Sequence, residues 1–309
     1  MAPKIGFVAT TFRRPEQTLY LCERLTEMFG AAPIAIHHDF SQCDLDAAAF
    51  PSNVRFVKHW VATAWGSVSV VEATLRAYEL LQEMPGGDPD WVVSLSAADY
   101  PIKTGERILS DLEGADVDAF MDMRRIVGRS ERGNEQDLGD YPFRQPHFRQ
   151  LAYKRYVAMP VIPLEAAREY QISVERYSLT WGWLTDLVTP FGDELHCYAG
   201  DAWITVNRRV VRLFLTDDWR RRKLLRHYRG RTVPEESFWH TLVGNTPEIR
   251  VSTENLRYTN WRGCCAHPRM LGREDLDELL GSPAHFARKF AFNPALLEEI
   301  DVAVARNDG

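Results

Sequence analysis

In the first 125 residues, short apolar runs alternate with longer stretches of helical period, and this alternation restricts the fold more than any single motif does. Lys4 to Thr10 is a short β-rich run, and Arg14-Pro15 turns the chain into a helix from about Glu16 to Phe29. Pro33 to His38 reads as a second strand and Val54 to Lys58 as a third. Ser69, with Glu72 three residues on, has the form of a capping box, and Val68, Val71, Leu75 and Tyr78 recur at helical spacing around it. Gly86-Gly87-Asp88-Pro89 breaks that helix. Trp91 to Leu95 is short and apolar, as a strand covered on both faces must be. The order predicts an α/β fold with a mostly parallel sheet flanked by helices. Ligands in such sheets bind beyond the carboxyl ends of the strands, where Asp39, Trp65 and Asp99 lie.

The second half is less regular. Ala202 to Leu215 reads as a strand running into a helix, and Asp217 to Arg231 is strongly basic. Pro234 opens a compact helix closed by Gly244, proline suiting a first helical position that needs no donor. From Glu248 onward come a strand, a loop holding Cys264-Cys265, and two helical stretches. No repeat, low-complexity segment or linker divides the 309 residues, of which 45% are hydrophobic, enough for one large core.

Charge and composition exclude several classes. The net charge of −6 argues against a nucleic-acid footprint. No run reaches the length of a membrane span, and the opening ten residues turn polar too soon for a signal peptide, so the reading is a soluble cytoplasmic chain without a transmembrane segment. Five cysteines, Cys22, Cys43, Cys197, Cys264 and Cys265, have no metal-type spacing even with His267 nearby, and reduced thiols are expected. The run Trp219 to Arg226 reads as a solvated basic helix face.

Chemistry concentrates in three blocks: Val233-Pro234-Glu235-Glu236-Ser237-Phe238-Trp239-His240-Thr241-Leu242, Asn255-Leu256-Arg257-Tyr258-Thr259-Asn260-Trp261 and Phe286-Ala287-Arg288-Lys289-Phe290. One acid opening a helix, followed by three cations, suits group transfer with a phosphorylated leaving group. The carboxylate takes the proton from an incoming hydroxyl, and the guanidinium and ammonium groups neutralise a departing diphosphate.

In this order the blocks resemble the core-2/I-branching glycosyltransferase family, which includes β-1,6-N-acetylglucosaminyltransferases and peptide O-xylosyltransferases. The wording is closest to the xylosyltransferase branch. Asn53-Val54-Arg55, Thr63-Ala64-Trp65-Gly66-Ser67 and the stretch from Ser94 to Thr104 carry the resemblance from the first strand to about Phe290, with roughly Arg124 to Thr180 unmatched. It implies one GT-A-like, Rossmann-like domain over residues 1–309, with a nucleotide-binding half at about 1–125 and an acceptor and catalytic half at about 180–300.

The resemblance also assigns roles. Glu236 would be the general base of an inverting transfer, kept ionised by helix N-terminal amides. Arg257, Arg288 and Lys289 would hold the diphosphate of a UDP-sugar, Arg257 and Lys289 foremost. Asp39 would hold the uracil, Trp65 would wall the nucleotide-sugar pocket or pack in the core, and Asp99 would face the cleft toward donor or acceptor. At Gly200-Asp201-Ala202-Trp203 the chain departs from the Gly-Ser-Asp-Trp of xylosyltransferases. Asp201 is displaced by one position as a substrate contact, Trp203 keeps the aromatic wall, and the donor is left between N-acetylglucosamine and xylose. His240, one turn beyond Glu236, would orient it or simply pack. Asp44-Leu45-Asp46 and Asp116-Val117-Asp118 have the form of a metal-binding Asp-x-Asp, but the resembling family dispenses with metal, so no metal or other cofactor is expected. The acceptor would be a hydroxyl of a glycan, a peptide or another surface molecule. Two rivals remain: a sulfotransferase-like enzyme, for which Thr10-Thr11-Phe12-Arg13-Arg14 lacks the phosphate-loop glycines, and a non-catalytic carbohydrate-binding protein using the nine tryptophans and eleven tyrosines.

Overall fold

The computed structural model describes residues 2–126, 152–157, 159–160, 178–179, 189–262 and 267–307. The first half alternates as the sequence predicts: β1 (Ile5–Thr11), α1 (Pro15–Met28), β2 (Ile34–His38), β3 (Val54–Phe56), α2 (Val68–Glu83), β4 (Trp91–Leu95), β5 (Tyr100–Pro101), α3 (Gly105–Glu113), β6 (Ala119–Phe120) and β7 (Arg124–Ile126). After a short pair, β8 (Met159–Pro160) with β9 (Ser178–Leu179), come β10 (Cys197–Ala199), β11 (Thr205–Asn207), α4 (Arg208–Leu215), α5 (Trp219–Tyr228), a 3-10 turn (Pro234–Glu236) and α6 (Phe238–Gly244). β12 (Val251–Ser252), β13 (Arg257–Thr259), α7 (Leu276–Gly281), β14 (Phe286–Arg288) and α8 (Pro294–Asn307) complete the described chain.

Seven strands form the main sheet in the order β12-β6-β11-β4-β1-β2-β3. β1, β2, β3 and β4 pair in parallel, as do β12 and β6, and β11 runs antiparallel between β4 and β6. Successive side chains leave a strand on opposite faces, and here both faces are covered. Val8, Ala35, Val92 and Val206 pack with α2, α4, α5 and α6, whereas Phe7, Ile34, Ile36 and Val93 pack with α1, α3, α7 and α8. That double covering is why β2 and β4 are buried along their whole length.

Two local readings are corrected. The cap of α2 is Ser67, whose side chain accepts from the Ser69 amide at 3.3 Å, while the Ser69 hydroxyl accepts from the Ala64 amide at 3.1 Å and ties down the preceding loop. Ser69 and Glu72 therefore lie inside the helix and form no capping box. The helix expected from Pro234 to Gly244 is split at Ser237, so Glu236 sits on a 3-10 turn leading into α6. Residues 238–243 of α6 are all buried, a helix apolar enough to thread the interior.

Two smaller sheets bring distant segments together. In one, β13 pairs in parallel with β14, and β14 antiparallel with β5. In the other, β10 pairs antiparallel with β7, setting Ala199 opposite Arg124. The basic helix α5 is laced by local pairs, Arg220 with Asp218 at 3.0 Å and Arg222 with Asp217 at 3.8 Å, as a solvated face would be. Cys22, Cys43 and Cys197 are free thiols, and Cys264 and Cys265 lie outside the described residues. Among the described residues no helix is long and apolar enough to cross a membrane.

Candidate active site

Glu236 heads the buried helix α6 with its side chain about one-fifth exposed (21%). The Tyr156 hydroxyl donates to Glu236 Oε2 at 3.1 Å, and Arg155 Nη1 lies 3.6 Å from the same oxygen. Burial raises the Glu236 pKa above the usual glutamate value, with Asp122 adding to the rise, while Arg155, Tyr156 and Arg288 pull it down. The helix amides therefore do not dominate its ionisation as the sequence suggested. Desolvation does, opposed by neighbouring cations.

Gly200 explains how Glu236 is seated. Its amide donates to the Glu236 carbonyl at 2.9 Å, and a Cβ there would lie 1.8 Å from the Asp122 carbonyl oxygen. Only glycine lets the two backbones approach so closely. The neighbouring Asp201 is turned inward, accepting from Asn255 Nδ2 at 3.1 Å. Burial raises its pKa to about 7, Arg288 and Arg257 opposing and Glu236 and Asp122 adding. The Asp201 carboxyl, expected at the substrate, is buried in this structure. His240 serves the same segment, its Nε2–H donating to the Asp201 carbonyl at 3.0 Å, with a pKa lowered by burial to about 4.

The cations converge because β13, β14 and β5 are neighbours. Asp99, immediately before β5, has a wholly buried carboxylate that accepts from the Ser96 amide at 2.8 Å and the Ser96 hydroxyl at 2.6 Å. Its other oxygen lies 3.5 Å from Arg257 Nη1 and 3.7 Å from Arg288 Nε. In this structure Asp99 anchors the two arginines. Arg257 lies deeper: its side chain is wholly buried, stacked over Phe286 at 5.0 Å and donating to the Ser94 carbonyl at 3.1 Å. Arg288 retains 13% exposure, its guanidinium centred 4.0 Å over the Trp203 ring. That face of Trp203 is covered by a cation and is closed to sugar stacking. Lys289 is half-buried, and its pKa is lowered by burial and by Arg288.

Trp65 is 70% exposed, which excludes the core alternative, and its ring stands 5.8 Å from that of His267. His267 has its pKa lowered by burial and by the charges of Lys289 and Arg288, placing the Trp65 loop beside these cations. The Gly66 carbonyl of that loop accepts from the Val233 amide at 2.9 Å, docking it on the turn that carries Glu236. Asp39 pins the loop from behind. Its oxygens accept from the Ser41 amide and hydroxyl, Gln42 Nε2, and the Thr63 amide and hydroxyl. Burial works to raise its pKa, but the bonds from Ser41, Thr63 and Gln42 prevail and hold it well below the usual range. Five donors saturate a carboxylate, so in this structure Asp39 orders the loop from Ser41 to Thr63.

Three acids of the two triplets serve the scaffold. Asp118 accepts from Asn207 Nδ2 and the Arg250 amide, each at 2.8 Å, tying β6 to its sheet neighbours, and Asp116 pairs with Arg250. Asp46 caps a 3-10 turn through the Ala48 amide. Among the described residues no group of three or more His, Cys, Asp or Glu side chains is placed to hold a metal ion. A cavity of about 1480 Å³ lies elsewhere, against β3, α2 and α5, and is lined by residues including Trp60, Arg76, Glu79 and Arg221. None of the candidate residues lines it, and its charges are partly paired, as in Arg221 with Glu79 at 3.6 Å.

Residues 5–280 match the family model described as Core-2/I-Branching enzyme. The chain belongs to the core-2/I-branching enzyme family. Human xylosyltransferase 1 is 28% identical over 271 residues, covering 81% of this chain and 24% of the relative. The β-glucuronosyltransferase GlcAT14B of Arabidopsis thaliana is 26% identical over 258 residues, covering 81% of this chain and 51% of its own length. The chain therefore spans about a quarter of the xylosyltransferases it matches and half of the plant relative. A solved galactosyltransferase LgtC, complexed with donor and acceptor sugar analogs, aligns over 97% of this chain with a TM-score of 0.36 and 10% identity, too distant to bear on the site.

Within this core-2/I-branching chain, sequence reasoning missed Arg155, Tyr156 and Asp122. Asp122 lies 3.4 Å from Arg124, and burial raises its pKa, Arg124 opposing. Asp122 stood in plain view at the end of a strand-like run. Arg155 and Tyr156 gave no signal, lying in the stretch where no motif or periodicity could be read.

Proposed function

We propose that the chain is an inverting, metal-independent glycosyltransferase domain that moves N-acetylglucosamine or xylose from a UDP-sugar to a hydroxyl of a glycan or peptide. The observation that carries this reading is an acid heading α6, Glu236, within the field of Arg288, which is anchored by a buried Asp99 and adjoins Lys289. Glu236 takes the acceptor proton as the hydroxyl attacks the anomeric carbon from the face opposite the leaving group, so the configuration inverts. Arg288 and Lys289 meet the charge that builds on the departing diphosphate, work that a divalent ion performs in other sugar-nucleotide enzymes. Family membership and the xylosyltransferase relatives support xylose among the donors, and the glucuronosyltransferase relative adds UDP-glucuronate to any donor screen.

Thermal unfolding tests the reading cheaply. UDP stabilises the protein in the presence of a chelator, by about 2.7 kcal/mol at a hundredfold excess over Kd. Stabilisation by adenosine 3′,5′-bisphosphate instead favours a sulfotransferase, and stabilisation by glycans alone favours a carbohydrate-binding protein. A UDP effect that disappears with chelator removes metal independence from the proposal.

A further inference from the structure

The carboxylate of Glu236 carries a shell of neighbours that the transfer chemistry above leaves unexplained. Arg155 and Tyr156 come from one helical turn, Tyr153–Val157, and both engage the same oxygen, Oε2, at 3.6 and 3.1 Å. Oε1 lies outside both contacts. Tyr156 is buried, and burial together with the Glu236 charge keeps its phenol protonated, so toward the carboxylate it donates. The same turn is fastened from behind, since His227 Nε2–H donates to the Tyr156 carbonyl at 2.6 Å.

The other charged groups that face the base divide by sign. Asp122, after β6, and Asp201, between β10 and β11, lie within its field and disfavour a second negative charge, as does burial. Glu235, beside it on the 3-10 turn, adds negative charge around Tyr156. On the positive side stand Arg155 and, from β14, Arg288. In the proposed reaction Arg288 is committed to the diphosphate, whose charge cancels most of its pull on Glu236. Arg155 is then the cation left to favour the anionic base, and at 25% side-chain exposure it stays close enough to act.

We propose that Arg155 and Tyr156 are positioning residues for the base: together they grip Oε2, keep Glu236 in its proton-accepting form once the donor is bound, and leave Oε1 to meet the acceptor hydroxyl. The inference rests on the reading of Glu236 given under Proposed function.

The test is the pH dependence of UDP release from UDP-xylose and UDP-N-acetylglucosamine, with water as the acceptor. Removing a group that favours the carboxylate raises the base pKa, so the acidic limb of kcat moves to higher pH. Arg155→Gln loses about tenfold at pH 6 and less than about twofold at pH 8.5, and Arg155→Lys recovers most of the loss. Tyr156→Phe moves the same limb in the same direction and serves as the second probe if Arg155→Gln folds poorly. A uniform loss at every pH with the limb in place marks a merely structural turn and overturns the proposal. Glu236→Gln separates the two failures. If that variant is inactive while neither Arg155→Gln nor Tyr156→Phe moves the limb, the positioning role alone fails. If Glu236→Gln remains active, the assignment of the base fails and the positioning role fails with it.

Discussion

Glu236→Gln is expected to lower the transfer rate by about 10²–10⁴-fold while UDP binds with near wild-type affinity. The substitution keeps the shape of the side chain and removes only its ability to accept a proton. Tyr156 can still donate to the amide oxygen, so the local fold around Oε2 has a partner after the change. The nucleotide groups assigned to the opposite side, Arg288 and Lys289, are held through Asp99 and the β13-β14 pairing, which the change does not touch. Rate and affinity should therefore separate. Isothermal titration with UDP and a turnover assay on one preparation check both halves. Retained turnover would take Glu236 out of its role, and lost UDP binding would show that the acid holds the site together.

Asp99→Ala is expected to cost the fold about 3–5 kcal/mol, the penalty for leaving a buried cation uncompensated. Arg257 has no exposed side-chain surface, so water cannot replace the lost carboxylate without opening the core around Phe286. Arg288 loses the same partner and is left held by its stacking on Trp203. The variant should thus unfold at lower urea and also bind UDP more weakly under conditions where it remains folded. Asp99→Asn keeps an acceptor for the Ser96 amide and hydroxyl and should fall between the two. Chemical denaturation with unchanged slope measures the first effect. A loss below about 1 kcal/mol would mean that the ion pairs around Asp99 are worth no more than exposed ones.

Much of this architecture is readable from residues because its causes are local. β2 and β4 appear as apolar runs since both faces of the sheet are covered, and the motif around Glu236 places that acid at the head of a buried helix. The cap of α2 was misread because Ser67 and Ser69 both stand at its start, and only the loop geometry decides which hydroxyl meets a free amide. Burial of charge is harder to read. Arg257 looks like a ligand in a polar motif, and only the pairing of β13 with β14 and of β14 with β5 reveals that it faces Phe286 and Asp99 inside the protein. The partners of Asp39 are hard to read for a related reason, since its bond from the Thr63 amide depends on a loop 24 residues away. Tyr156 reaches Glu236 across 80 positions, a separation no periodicity reports.

The most direct test follows the anomeric carbon. Proton NMR of the sugar product, formed from an α-linked UDP-sugar in the presence of EDTA, should show the β configuration at its first appearance, with the rate unchanged by the chelator. An α product, or turnover that stops when divalent ions are removed, would contradict a transfer run by Glu236 against Arg288 and Lys289.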